Sequence, residues 1–238
     1  MSLTRDFLYV AGNGVSRQPA AKRRGQLQSP LDGDQDGHNG GNYNRNFVMF
    51  PESLRNTTTA GDQDHMRFSK DAGDDVIMTW QSSDGDGSGI YARRYTANLA
   101  SYETDFQVGS EWRINTTTTG DQAAPAVASS PTGNFVIGWE SADSDSTGVV
   151  ARVFDASRRA LSDEITLNST TSGTQDSLSL VMDTDGSFIA SWQSPDADGA
   201  GIVARRFYAD GRAASDEISV NTTTAGDQTD PVVGQDGS

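Results

Sequence analysis

The sequence predicts an all-β fold assembled from a repeated unit, and three observations predict it. First, "RNTTTAGDQ" from Arg55, "INTTTTGDQ" from Ile114, "LNSTTSGTQ" from Leu167 and "VNTTTAGDQ" from Val220 align with one another. Second, their asparagines Asn56, Asn115, Asn168 and Asn221 are spaced by 59, 53 and 53 residues, and Trp80, Trp139 and Trp192 keep that register. Third, short apolar runs of period two recur along the chain, while no segment sustains helical spacing.

Within one unit the strands read in order. "PAVAS" (125–129) leads, and "FVIGW" (135–139) places Phe, Ile and Trp on one face and Val and Gly on the other, as a half-buried strand does. An Asp-rich turn follows, then "GVVARVF" (148–154) and "EITLN" (164–168). Each run is bounded by Gly, Asp, Asn, Ser or Pro, the residues that turns require. Four short antiparallel strands per roughly 53 residues is the pattern of a β-propeller blade, so the expectation is a propeller-like fold of four to five blades. A β-solenoid coil is usually shorter, and separate sandwich domains need about 100 residues each.

The expected layout is a single repeat-built domain over 1–238. Full repeats occupy 64–122, 123–175 and 176–228, with the start of a further one at 229–238. Residues 36–63 read as a truncated repeat, because "NFVMFPES" (46–53) matches "NFVIGWES" (134–141) at five of eight positions. Residues 1–35 form an N-terminal segment, and Phe7–Ala11 is expected to close the ring by pairing with Pro231–Gly234. The longer first unit carries an insertion within 97–114 with Tyr102, Phe106 and Trp112. An insertion in a repeat maps to one face, so these aromatics are either a ligand platform or extra packing.

Composition limits the function classes. The 238 residues carry a net charge of −15, with no Cys, 25 Gly and 34% apolar residues. Segment 1–31 is +4, from Arg5, Arg17, Lys22, Arg23 and Arg24 against Asp6, which leaves −19 for the rest. Such a body repels nucleic acid and anionic lipid and attracts cations. No stretch approaches the roughly 18 apolar residues of a membrane span. The opening "MSLTRDFLYVAGNG" is too poor in apolar residues for a secretory leader, so export is signalled elsewhere or the chain is a piece of something longer.

Three constellations carry the functional candidates. The loops at Asp84/Asp86, Asp143/Asp145 and Asp196/Asp198 each offer two carboxylates two residues apart, either as weak calcium sites or as Asx turns. Calcium is the candidate cofactor. The register-matched Arg93, Arg152 and Arg205 either serve the unit, stem packed on the following aromatic, or hold a substrate carboxylate. Catalytic sets are scarce: no Cys, two unrelated histidines (His38 and His65), and one distinctive acid, Glu140, where the sister units have Gln81 and Gln193. The Asn-x-Thr/Ser sequons read as turn residues rather than glycan acceptors.

The string W-x-S-x-D-x-D-x-x-G-I/V-x-A-R-x-F, followed by N-T-T-T-x-G-D-Q, resembles tandem repeats of very large exported bacterial proteins. Those are adhesin-like or carry calcium-binding repeats of the hemolysin type. The resemblance covers about residues 46–238 and implies an extracellular or cell-surface β module with a binding or structural role, not an enzyme. Its implied partner is a glycan or a surface protein. A fainter similarity is to the Asp-box of sialidase-like propellers, matched at Ser82/Asp84, Ser141/Asp143 and Ser194/Asp196 but with Asp in place of its Gly. The alternative it implies is a glycan-directed propeller, lectin or glycosidase.

Overall fold

The computed structural model describes residues 62–96 and 107–234, together with strands β1 (Leu8–Ala11), β2 (Gly14–Ser16) and β3 (Met49–Phe50). The chain divides into two compact units, Met1–Arg55 with Ala100–Thr104, and Asn56–Leu99 with Asp105–Ser238. In the first unit β1 is the centre of an antiparallel sheet: Tyr9 faces Ser16 of β2 on one edge and Met49 of β3 on the other. Both edges of β1 are thereby taken, and residues 231–234 lie in no strand. Of the segment expected to close the ring, Phe7–Ala11 with Pro231–Gly234, Phe7 lies outside the described residues.

The second unit contains three antiparallel sheets and, among the described residues, no helix. The first sheet runs β4 (Gln63–Lys70), β5 (Val76–Ser83), β6 (Ser88–Thr96), with β7 (Gln107–Val108) and β8 (Trp112–Arg113) both pairing with β6. The second runs β9 (Gln122–Ser129), β10 (Phe135–Ala142), β11 (Thr147–Phe154), β12 (Ile165–Thr166). The third runs β13 (Asp176–Met182), β14 (Phe188–Pro195), β15 (Ala200–Phe207), β16 (Ile218–Ser219). Each sheet is one repeat.

Register follows from the paired aromatics. Phe135 faces Phe154 and Phe188 faces Phe207, and both pairs stack, with centroids 5.0 and 4.9 Å apart. The leading strand of every sheet carries a bulge, with His65, Ala124 and Ser177 in the left-handed region at φ 51°, 47° and 54°. A bulge bends the strand and re-aims the side chains beyond it.

The sheets stack in sequence order. β9 packs on β4 and β5, and β13 packs on β9 and β10. Ile77, Ile90, Ile114, Phe135, Ile137, Trp139 and Phe154 fill the space between the first and second sheets. Val136, Val149, Leu167, Met182, Phe188, Trp192 and Phe207 fill the space between the second and third. The middle sheet is therefore buried on both faces, not one. Its Val136 and Gly138 face the third sheet, where a Cβ on Gly138 would stand 2.5 Å from Leu178 Cδ2. Half-burial holds for the third sheet instead: the other face of β14 leaves Ile189 exposed. Trp80, Trp139 and Trp192 are all buried, as their shared register requires.

Candidate functional site

The N-T-T-T-x-G-D-Q segment is a hydrogen-bonding staple. Its Asn accepts from one strand and donates along its own turn: Ile90 N–H donates to Asn115 Oδ1 at 2.8 Å, and Asn115 Nδ2 donates to the Thr117 carbonyl at 2.7 Å. Asn168 and Asn221 repeat both bonds on Val149 and Thr170, and on Ile202 and Thr223. The closing Gln completes it, since Gln175 and Gln228 accept from Asn168 and Asn221. Gln122 instead accepts from Trp139 Nε1 at 3.1 Å. Asn115 is 2% exposed, which removes it as a glycan acceptor in the folded chain.

Two more register-matched groups cross from sheet to sheet. Arg152 Nη1 donates to the Ile114 carbonyl at 2.8 Å, and Arg205 Nη1 to the Leu167 carbonyl at 3.0 Å. Each guanidinium also lies over its own strand's ring, Phe154 at 5.4 Å and Phe207 at 5.6 Å. The partner of each is thus the backbone of the preceding sheet, so these arginines serve the repeat. Beside it, Glu164 accepts from the N–H groups of Thr116 and Thr117 and from the Thr117 hydroxyl at 2.6 Å. Glu217 does the same with Ser169 and Thr170. Burial pushes both carboxyls up, but these hydrogen bonds outweigh it and hold them below the usual range.

The Asp loops lie at the ends of the β5/β6, β10/β11 and β14/β15 hairpins. Asp84, Asp143 and Asp196 use Oδ1 in Asx turns, accepting from the N–H of Asp86, Asp145 and Asp198. Asp145 and Asp198 turn away, accepting from Gly173 and Gly226 of the following staple. The second oxygens of Asp84 and Asp196 are buried without a hydrogen-bond partner. They lie against Gly89 and Gly201, where a Cβ would approach them to 3.0 and 2.9 Å. That closeness, not backbone angle, is what requires glycine there. Among the described residues no three His, Asp or Glu side chains gather as a metal-holding group.

Of the insertion, Tyr102 and Phe106 lie outside the described residues. Trp112 sits on β8 against the second sheet, edge-on to Phe135 at 6.5 Å and under the Arg158 guanidinium at 5.1 Å.

One grouping departs from the repeat. Gln81 Oε1 accepts from Ala124 N–H at 3.2 Å, bridging the first sheet to the bulge of the second. Glu140 makes the same bridge to Ser177 N–H at 2.9 Å, with a charge where its counterpart has an amide. Burial pushes the Glu140 carboxyl above its ordinary range; Asp176 adds to the rise, while the Ser177 bond and His65 oppose it. Asp176 is raised as well, by burial and by Asp230. Glu140 on β10 thus feels the charges of Asp176 and His65, and Asp176 feels that of Asp230. Sequence reading named Glu140 and His65 without connecting them, and did not name Asp176 or Asp230. Their signal is positional: His65, Ala124, Ser177 and Asp230 each stand two residues after the staple's Gln, and all four have positive φ.

No family model and no curated protein matches the chain. Among solved structures it is similar to the endo-arabinase from Bacteroides thetaiotaomicron VPI-5482, at 17% identity and a TM-score of 0.40. That match covers 70% of this chain and 63% of the other, so the chain spans less than two thirds of that protein's length.

Proposed function

We propose that the chain is a non-catalytic, propeller-type binding module of four to five blades that works outside the cell. Its ligand is a glycan or a surface protein, and calcium in the Asp loops stabilises it. The propeller arrangement is supported by sheets stacked in sequence order, with leading strands β4, β9 and β13 side by side and the shortest strands at the far edges. Calcium is supported by the buried, partnerless oxygens of Asp84 and Asp196. The observation that carries the binding role is what the repeated polar residues do. Asn, Gln and Glu at matched positions, and Arg152 and Arg205, join strands and sheets, which leaves recognition to the positions that differ between units. A glycan array combined with a thermal-shift screen tests this. Binding of a glycan, or a calcium-dependent shift, supports it; silence in both arms removes it.

A second reading is favoured by one observation. Glu140 and Asp176 are both held above the ordinary carboxylate range, as a proton-donating acid in a glycosidase is. In that reading Glu140 is the acid, and hydrolysis of a polysaccharide lost in Glu140→Gln is its signature.

A further inference from the structure

The two seams between sheets use one set of groups. An Arg reaches the carbonyl just before the staple's Asn, and a Glu twelve residues further on takes the two N–H groups and hydroxyl just after it. An apolar residue between them, Ile114 or Leu167, is fully covered at 0% exposure. The third sheet gives its Arg205 and Glu217 to the second, and on its outer side displays a receiving half that no giving half meets among the described residues. Its Val220 stands where Ile114 and Leu167 stand, but is 55% exposed, and Ile218 beside it is 59% exposed. Among the described residues no carboxylate meets the N–H groups of Thr222 and Thr223, and no guanidinium meets the Val220 carbonyl. The staple itself is intact, because Asn221 still bonds Ile202, Thr223 and Gln228. The segment after the staple touches this sheet, with Val233 N–H donating to Ser179 Oγ of β13 at 3.1 Å.

We propose that the outer half of the third sheet is a docking face for a further β unit of this same repeat. That unit presents an Arg and a Glu twelve residues apart on its two outer strands. Charge pattern decides the occupant. A row of free N–H groups beside a free carbonyl and two exposed apolar side chains is complementary to the giving half at both internal seams. A glycan or lipid supplies the apolar or the polar part, not the paired guanidinium and carboxylate at that spacing. The proposal is independent of the binding role assigned above.

The test appends a second copy of residues 186–228 after Ser238, which stands 53 positions beyond Asp185 and so continues the repeat register. The extended chain is expected to melt about 5 °C higher than the original. Hydrogen exchange at Thr222 and Thr223 should slow at least about tenfold. Replacing the appended copy's Arg and Glu, the counterparts of Arg205 and Glu217, by Ala should cancel most of both effects. Val220→Asp should be neutral in the original chain and lower the melting temperature of the extended one. An unchanged melting temperature with Thr222 and Thr223 still in fast exchange overturns the proposal. Dimerisation of the unextended chain, abolished by Val220→Asp, also overturns it, because the face then belongs to a second copy of the whole chain.

Discussion

Glu217 and Thr170, 47 residues apart, meet where the third sheet joins the second: the Thr170 hydroxyl donates to Glu217 Oε2 at 3.0 Å, as the Thr117 hydroxyl does to Glu164 at the preceding seam. Each Glu has a depressed folded-state value, so its stabilisation is complete above the free value of 4.5 and is lost as pH falls through the folded one. Glu164→Ala and Glu217→Ala should each cost about 1 to 2 kcal/mol at pH 7, the exposure of the sites keeping the figure low. Urea unfolding at pH 7 and pH 3 checks this, and the mutational cost should shrink at the lower pH.

Glu140 has the opposite sign. Its folded-state value lies above the free value of 4.5, so its contribution is whole below that value and is lost as pH rises through the folded one. Glu140→Gln restores the amide that Gln81 uses for the same bridge. It should raise the melting temperature at pH 7 by roughly 2 °C and flatten the decline with pH. A lower melting temperature at pH 7 would mean that the ionised carboxylate is itself required.

Asn168 offers the sharpest test of the staple. Asn168→Ala strands the buried Val149 N–H and the Thr170 carbonyl, at a cost of about 2 to 3 kcal/mol. Thr171→Ala, at a position of the same turn with no side-chain hydrogen bond described, should stay within about 0.5 kcal/mol. Chemical denaturation of the two variants side by side checks both values.

The buried tryptophans should be costly to truncate. Trp139 and Trp192 are each 0% exposed, and replacement by Ala should cost about 3 to 5 kcal/mol. Gly201→Ala drives a Cβ to 2.9 Å from Asp196 Oδ2 and should cost about 1 to 3 kcal/mol. If calcium occupies that loop, millimolar calcium raises the wild-type melting temperature, chelator reverses it, and Asp196→Asn abolishes the response.

The repeat was legible because it lies on landmarks that cannot shift: three tryptophans and four asparagines in one register. Alternation in "FVIGW" located β10 but could not reveal that both its faces are covered, since Val136 and Gly138 suit either solvent or a neighbouring sheet. The seam partners were harder still. Arg152 bonds a carbonyl 38 residues away, and a backbone acceptor leaves no mark on composition. The clamping glutamates did leave one, as Glu164 and Glu217 each stand four residues before a staple Asn, a position that Glu111 shares in the sequence. The Glu140–Asp176 grouping depends on a bulge with positive φ at Ser177, and serine, like the Ala124 of the sister unit, is not a residue type that announces that geometry.

Binding and hydrolysis measured together on one polysaccharide panel bear most directly on the function. Wild type and Glu140→Gln are each assayed for retention on the glycans and for release of new reducing ends. Retention of at least one glycan by wild type, with no reducing ends released by either protein, is the expected result for a non-catalytic binding module. Steady release of reducing ends by wild type that Glu140→Gln abolishes would contradict it and make Glu140 the acid of a glycosidase.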